Sequence, residues 1–247
     1  MKKIVLLLVI LLPIARLWSQ ENQGNQPKTE DRNFRIPLIG EKAPSFTAES
    51  TLGTINFPED YGRHWKVLLS HPQDFTPVCS SEILELANLQ SEFDKLDARV
   101  VIVSTDPLNT HIQWKKALEA INYKGRTPEK IKFPLVEDEN LTVAKLYGMI
   151  HAPSNTTKDV RGVFIIDPNN VIQTIFFYPN VVGRSTEEIV RTLTALETAT
   201  KDHVMTPADW KAGNDVFLPY PPVPDDKVST SPSNDIYKLT WFMIYKK

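Results

Sequence analysis

One cysteine, Cys79, occurs in 247 residues. A single sulfur excludes an internal disulfide, and Glu82, at the fourth position of CSSE, excludes a C-x-x-C thiol pair. Any redox chemistry must begin and end on one sulfur, with the second electron pair supplied by another molecule. Other signatures are missing too. There is no phosphate-binding or dinucleotide glycine motif and no internal repeat. The five histidines (64, 71, 111, 151, 203) lack the spacing of a metal site, so neither metal nor cofactor is expected. Charges are interspersed with a formal net of −2, which offers no face to nucleic acid. Apolar content of 41% and charged content of 23% are ordinary for a soluble globular chain long enough to bury a real core.

The first 20 residues, MKKIVLLLVILLPIARLWSQ, also fall short of something. Their apolar run is about a dozen residues, whereas a membrane span needs roughly 20. Two lysines, this short core and a break at Pro13 form a secretory signal pattern. The expectation is a signal peptide over 1–19, cleaved near Ser19 or Gln20, and a periplasmic or secreted product. An uncleaved membrane anchor is the alternative. Residues 20–33 are polar and read as a linker. A lone cysteine in an exported chain is a free thiol, which suits catalysis better than structure.

Around Cys79 the string is HPQDFTPVCSSE, residues 71–82. Pro77 ends what precedes it. Ser80, Ser81 and Glu82 favour a helix start, and Ile83, Leu86, Ala87, Phe93 and Leu96 carry an apolar helical repeat to about residue 96. Cys79 then lies in a first helical turn, where unpaired N–H groups and the helix dipole favour the thiolate. From these residues alone, a buried inert cysteine is an equal alternative.

Elsewhere, strand-like and helix-like runs alternate. WKVLLS (65–70) and VVIVST (100–105) read as buried strands, and 106–121 and 140–146 as helices. GVFIID (162–167) and VIQTIFFY (171–178) read as a hairpin across Pro168, Asn169 and Asn170. Ser185 and Glu188 form a capping box for a helix to about Thr200. After residue 200, six prolines between 207 and 232 break the periodicity. The ending YKLTWFMIYKK is apolar enough to seek burial against the main domain or a partner subunit. The pattern is compatible with a thioredoxin-like α/β fold over 34–200 and a small, partly β C-terminal extension over 201–247.

Pro72, Thr76 and Cys79 form P-x-x-x-T-x-x-C, which resembles the active-site signature of peroxiredoxins. The longer S-H-P-x-D-F-T-P-V-C is similar to the one-cysteine, peroxiredoxin-6-like branch. RGVFIID (161–167), YPNVVGR (178–184) and TPADWKAGNDVFLPYPPVP (206–224) resemble further segments of that branch in the same order. The resemblance runs from about Ile36 to the C-terminus. It implies the thioredoxin-like fold and a thiol-dependent peroxidase, an antioxidant oxidoreductase for hydrogen peroxide and organic hydroperoxides. In that reading Cys79 is the nucleophile and becomes a sulfenic acid. Arg161 stabilises the thiolate and polarises the peroxide, the Thr76 hydroxyl bonds both, and Pro72 shields the sulfur. His71, Glu82 and Arg184 are supporting residues: His71 an orienting group near the site, Glu82 an arginine partner or a helix-start acid, Arg184 a second arginine.

The resemblance further implies regeneration by an external thiol, glutathione or thioredoxin-like, and a homodimer or higher homo-oligomer. One departure is clear. Some members of the branch are described as phospholipases on a G-x-S-x-G-like motif, and here DYGRHWKV (60–67) has His64 for the serine, which removes the nucleophile. Two other functions stay open: a thiol–disulfide oxidoreductase, disfavoured by the missing second cysteine, and a non-enzymatic peroxide sensor or chaperone-like protein.

Overall fold

The computed structural model describes residues 35–151, 153, 158–219 and 228–247. The expected signal peptide (1–19) and linker (20–33) lie outside the described residues. Among those described, no helix is long and apolar enough to cross a membrane.

A five-stranded sheet in the order β5-β4-β3-β6-β7 carries the core. Its strands are β3 (Trp65–Ser70), β4 (Ala98–Ser104), β5 (Leu135–Glu137), β6 (Arg161–Ile166) and β7 (Ile172–Tyr178). β3, β4 and β5 run parallel, β6 is antiparallel to β3, and β7 pairs antiparallel with β6 and so runs in the direction of β3 again. A hairpin of β1 (Phe46–Ala48) and β2 (Ile55–Phe57) precedes this sheet.

β3 reads as a continuous apolar run because both of its faces are covered, and all six of its residues are buried. Successive side chains point to opposite sides. Val67 and Leu69 pack with Ile83, Leu86, Phe93, Trp114 and Leu193, whereas Leu68 packs with Phe46, Phe57, Val143 and Tyr147. The first set comes from α1 (Pro77–Asn88), α2 (Gln90–Lys95), α3 (Leu108–Leu118) and α5 (Thr186–Asp202). The second comes from the hairpin, α4 (Thr142–Leu146) and its C-cap residue Tyr147. Lys66, the charged member of β3, is also buried. Its ammonium donates to the Gly62 carbonyl and to Asn170 Oδ1, each at 2.6 Å.

The helix expected over 80–96 differs in two ways. It starts earlier, at Pro77, because proline suits the first helical position, where no N–H is needed. It also breaks at Leu89, whose backbone (φ −92°, ψ 8°) separates α1 from α2. The capping box at α5 is half made. Ser185 Oγ accepts from the Glu188 N–H at 3.2 Å, but the Glu188 carboxylate turns to Arg191 and Thr192.

The extension holds a three-stranded sheet of β8 (Val216–Phe217), β9 (Ile236–Thr240) and β10 (Met243–Lys246), in the order β8-β10-β9. A small core of Ala195, Val204, Trp210 and Val216 joins it to α5. Burial of the aromatic ending is divided. Tyr237 and Ile244 are buried, while Trp241 and Phe242, at the turn between β9 and β10, are exposed.

Candidate active site

The site grows out of the end of β3. Ser70 closes the strand, residues 71–76 form a loop, and α1 begins at Pro77. Cys79 is the third residue of that helix and is fully buried, inside the apolar cluster beneath the sheet. Thr76 stands at the N-cap position without capping the helix. Its hydroxyl donates to the Gln73 carbonyl at 2.8 Å. A hydroxyl has one proton, so in this arrangement Thr76 does not donate to the sulfur, in contrast to the role the resemblance implies. Pro72 is buried in the same loop.

Arg161 opens β6, paired with the β3 neighbour of the loop, and so reaches the sulfur from the sheet. Its Nη1 donates to Cys79 Sγ at 3.3 Å and to Glu82 Oε2 at 2.8 Å. Nε and Nη2 hold the Asn180 carbonyl. Glu82 lies on α1 one turn beyond Cys79 and binds Arg184 as well, through Nε, Nη2 and the backbone N–H, at 2.7 to 3.0 Å. The remaining Arg184 donor, Nη1, spans the Ser70 and Gly162 carbonyls at 2.8 Å each. A side chain at Gly162 would be crowded: a Cβ there would stand 3.1 Å from Ser70 Oγ and 3.2 Å from the Phe177 ring, so both would have to give by a few tenths of an ångström.

Glu82, Arg161 and Arg184 are all buried. Burial works against the Glu82 carboxylate, but the charge and hydrogen bonds of Arg184, with Arg161 behind them, hold it below the usual carboxylate range. Two guanidiniums against one carboxylate leave one positive charge in excess. The Cys79 sulfur lies against that excess, 3.3 Å from Arg161 Nη1.

A second buried cluster occupies the loop. Asp74 Oδ1 faces His71 Nε2 at 2.8 Å, and Oδ2 faces His111 Nδ1 at 2.7 Å. The Asp74 N–H donates to Asp106 Oδ2 at 2.7 Å, and Asp106 also accepts from Ser104 and Lys158. Burial opposes the Asp74 carboxylate, and the two histidines outweigh it and keep its titration low. Burial pushes His71 the other way, towards the neutral imidazole. Next along the chain, Phe75 is held at φ 55°, a left-handed backbone that is strained for an aromatic residue.

The resemblance brought forward His71 from this cluster. Asp74, Asp106, His111 and Lys158 went unread. The signal was present in H-P-x-D, where a carboxylate three residues after a histidine folds back on it. His111 and Asp106 come from distant segments and have no local cue. Ligand atoms of His71, Asp74 and Asp106 lie within 4.8 Å of one another. Both Asp74 oxygens are engaged by imidazoles and both Asp106 oxygens by donors, so this is a closed hydrogen-bond network rather than an open ligand set. Nearby Asp159 is different. It is fully buried, and neither carboxyl oxygen has a hydrogen-bond partner among the described residues. Burial, with Asp138 and Asp106 adding negative field, pushes its titration well above the usual range. His64, in place of the phospholipase serine, pairs with Asp97 at 2.6 Å.

The profile of the AhpC/TSA family matches residues 39–175. A peroxiredoxin of Methanosarcina mazei is 44% identical over 86% of this chain and 98% of its own. Among solved structures, a cysteine-to-serine mutant of peroxiredoxin 6 from Arenicola marina superposes with a TM-score of 0.74 at 29% identity. The match covers 85% of this chain and 97% of that one. The yeast mitochondrial 1-Cys peroxiredoxin gives a TM-score of 0.73 at 33% identity, covering 86% and 100%. The thioredoxin-like architecture with small added C-terminal strands is thus shared with these proteins.

Proposed function

The chain belongs to the AhpC/TSA family and is a peroxiredoxin, a thiol-dependent peroxidase, and we propose that Cys79 is its peroxidatic nucleophile, with Arg161 as the group that orients the peroxide. The observation that carries this reading is the 3.3 Å contact of Arg161 Nη1 with Cys79 Sγ inside a cluster one positive charge in excess. The thiolate attacks one peroxide oxygen and the O–O bond breaks. The other oxygen leaves as hydroxide or alkoxide and takes up a proton. The sulfur, oxidised by two electrons, is left as a sulfenic acid. Arg161 is always protonated and offsets charge on the leaving oxygen. Glu82 and Arg184 hold it in place, and the Thr76 hydroxyl, once released from Gln73, supplies a further hydrogen bond.

Regeneration falls to an external thiol, since no second cysteine exists. One thiol displaces water from the sulfenic acid to give a mixed disulfide, and a second releases Cys79 as the thiolate. For the yeast 1-Cys relative the resolving systems are glutathione and thioredoxin, and a glutathione- or thioredoxin-like donor is the reductant proposed here. The functional unit is proposed to be a homodimer or larger homo-oligomer, which analytical ultracentrifugation tests. Export after removal of 1–19 is proposed on the sequence pattern alone. N-terminal sequencing of the natively produced protein tests it, and an intact Met1 in a membrane fraction would favour the anchor.

The deciding experiment for the chemistry is mass spectrometry of Cys79 after one equivalent of peroxide, followed by a panel of thiols. Sulfenic acid that returns to thiol with turnover supports this function. Stoichiometric oxidation with no turnover by any thiol points to a sensor instead.

A further inference from the structure

The buried loop cluster has a proton arrangement that can be read from its acceptors. His111 Nε2 lies 3.2 Å from the Val136 carbonyl, and its Nδ1 lies 2.7 Å from Asp74 Oδ2. A carbonyl oxygen only accepts, so Nε2 carries a proton. An ionised carboxylate also only accepts, so Nδ1 carries one too. His111 and Asp74 are then an imidazolium–carboxylate pair, both buried. With Oδ1 of the same carboxylate facing it, His71 must place its proton on Nε2. Its Nδ1 lone pair is left bare, and that atom has no hydrogen-bond partner among the described residues. Charge then cancels in pairs: Asp74 with His111, Asp106 with Lys158.

This arrangement is linked to the helix that carries Cys79 by two routes. The His71 ring lies 5.0 Å from the Trp114 ring, and Trp114 Nε1 donates to Ser80 Oγ at 3.2 Å, next to the cysteine. Asp74 itself precedes the strained Phe75 and Thr76 and is pinned through its N–H to Asp106. We propose that Asp74 and His111 act as one charge-paired positioning unit for peroxide reduction, fixing the His71 proton on Nε2 and with it the loop that leads into Cys79. Neither is a catalytic residue, since neither touches the sulfur. A shift of about 1 Å in a reacting group costs up to about 100-fold in rate, so the loop need not unfold for the effect to be large.

The inference rests on the reading of Cys79 as the peroxidatic residue, and the test separates the two. The first arm is nitrogen-15 NMR of histidine-labelled full chain at neutral pH, which needs no turnover. His111 should show two protonated ring nitrogens, and His71 one bare Nδ1. A singly protonated His111, or a His71 protonated on Nδ1, overturns the proposal. In Asp74→Asn the amide can donate to His111 Nδ1, so His111 should lose one ring proton, and a His111 that stays doubly protonated in that variant overturns the pairing. The second arm is the single-turnover rate of Cys79 oxidation by hydrogen peroxide. Asp74→Asn and His111→Gln should each lower it about 10- to 100-fold. The double variant should be no slower than the worse single one, because the pair acts as a unit. Multiplying losses, or unchanged rates in folded single variants, overturn the proposal. If one variant does not fold, the other variant and the unsubstituted protein still decide it. If the unsubstituted chain does not consume peroxide while its histidines show the expected protons, the peroxidase reading fails and the proton assignment stands.

Discussion

The guanidinium cluster around Cys79 and the carboxylate–imidazole cluster of the preceding loop are equally buried, yet they differ in how their charge is balanced. Arg161 and Arg184 are permanently protonated and share one carboxylate, Glu82. That cluster has room for one more anion, and the sulfur at 3.3 Å is the group available to supply it. In the loop, Asp74 is hydrogen-bonded by His71 and His111 and Asp106 by Ser104 and Lys158, so each carboxylate already has its partners. The comparison separates two uses of buried charge. An uncompensated excess prepares a reactive ion, whereas a closed set of partners fixes geometry.

Predictions can break this contrast, beginning with the sulfur. Cys79→Ser should reduce thiol-dependent peroxide consumption to background while circular dichroism stays native. Residual turnover would place the chemistry elsewhere. Glu82→Gln should be the most damaging change to stability, about 3–5 kcal/mol in urea unfolding, because it leaves two buried guanidiniums without their carboxylate. A loss below about 1 kcal/mol would mean that water already screens the cluster. Arg161→Lys keeps the charge and loses the fork, so peroxide reduction should slow about 10²- to 10³-fold, measured by stopped flow, with the fold intact.

Acid should weaken both clusters in the same direction. Glu82 and Asp74 titrate lower in the fold than in the unfolded chain. Their stabilisation is therefore complete above the unfolded values of about 4.3 and 3.9 and is lost as pH falls through the folded values. Urea midpoints followed from pH 6 down to 3 should decline, and less steeply in Glu82→Gln. Asp159 has the opposite sign and is the smallest effect. Its folded value is raised, so its stabilisation is complete below about 3.9 and is lost as pH rises through the folded value. Asp159→Asn should raise stability at pH 7 and flatten the neutral-pH slope. An unchanged slope would show that this carboxyl is ionised in the fold.

Much of this was legible along the chain. β3 and β4 showed as continuous apolar runs because a strand covered on both faces needs no polar alternation. Cys79, Arg161, Glu82 and Arg184 were readable from the family's motifs. The break at Leu89 was not, since the apolar repeat continues across it while the backbone does not. The exposure of Trp241 and Phe242 was not either, because a composition that favours burial does not say which residues sit at a hairpin turn.

By itself the sequence determined that one sulfur does any redox work, that an outside thiol must regenerate it, and where β3, β4, β6, β7 and most helices lie, while β1, β2 and β5 carried no cue long enough to read. These are local or compositional facts, decided by counts, spacings and periodicity. Only the tertiary structure decided that Glu82 joins two arginines from 79 and 102 residues away, that the Thr76 hydroxyl is engaged by Gln73, and that Asp74 sits between two histidines, one of them 37 residues distant. Hydrogen bonds and ion pairs act over a few ångströms of space, and only folding brings such distant residues that close.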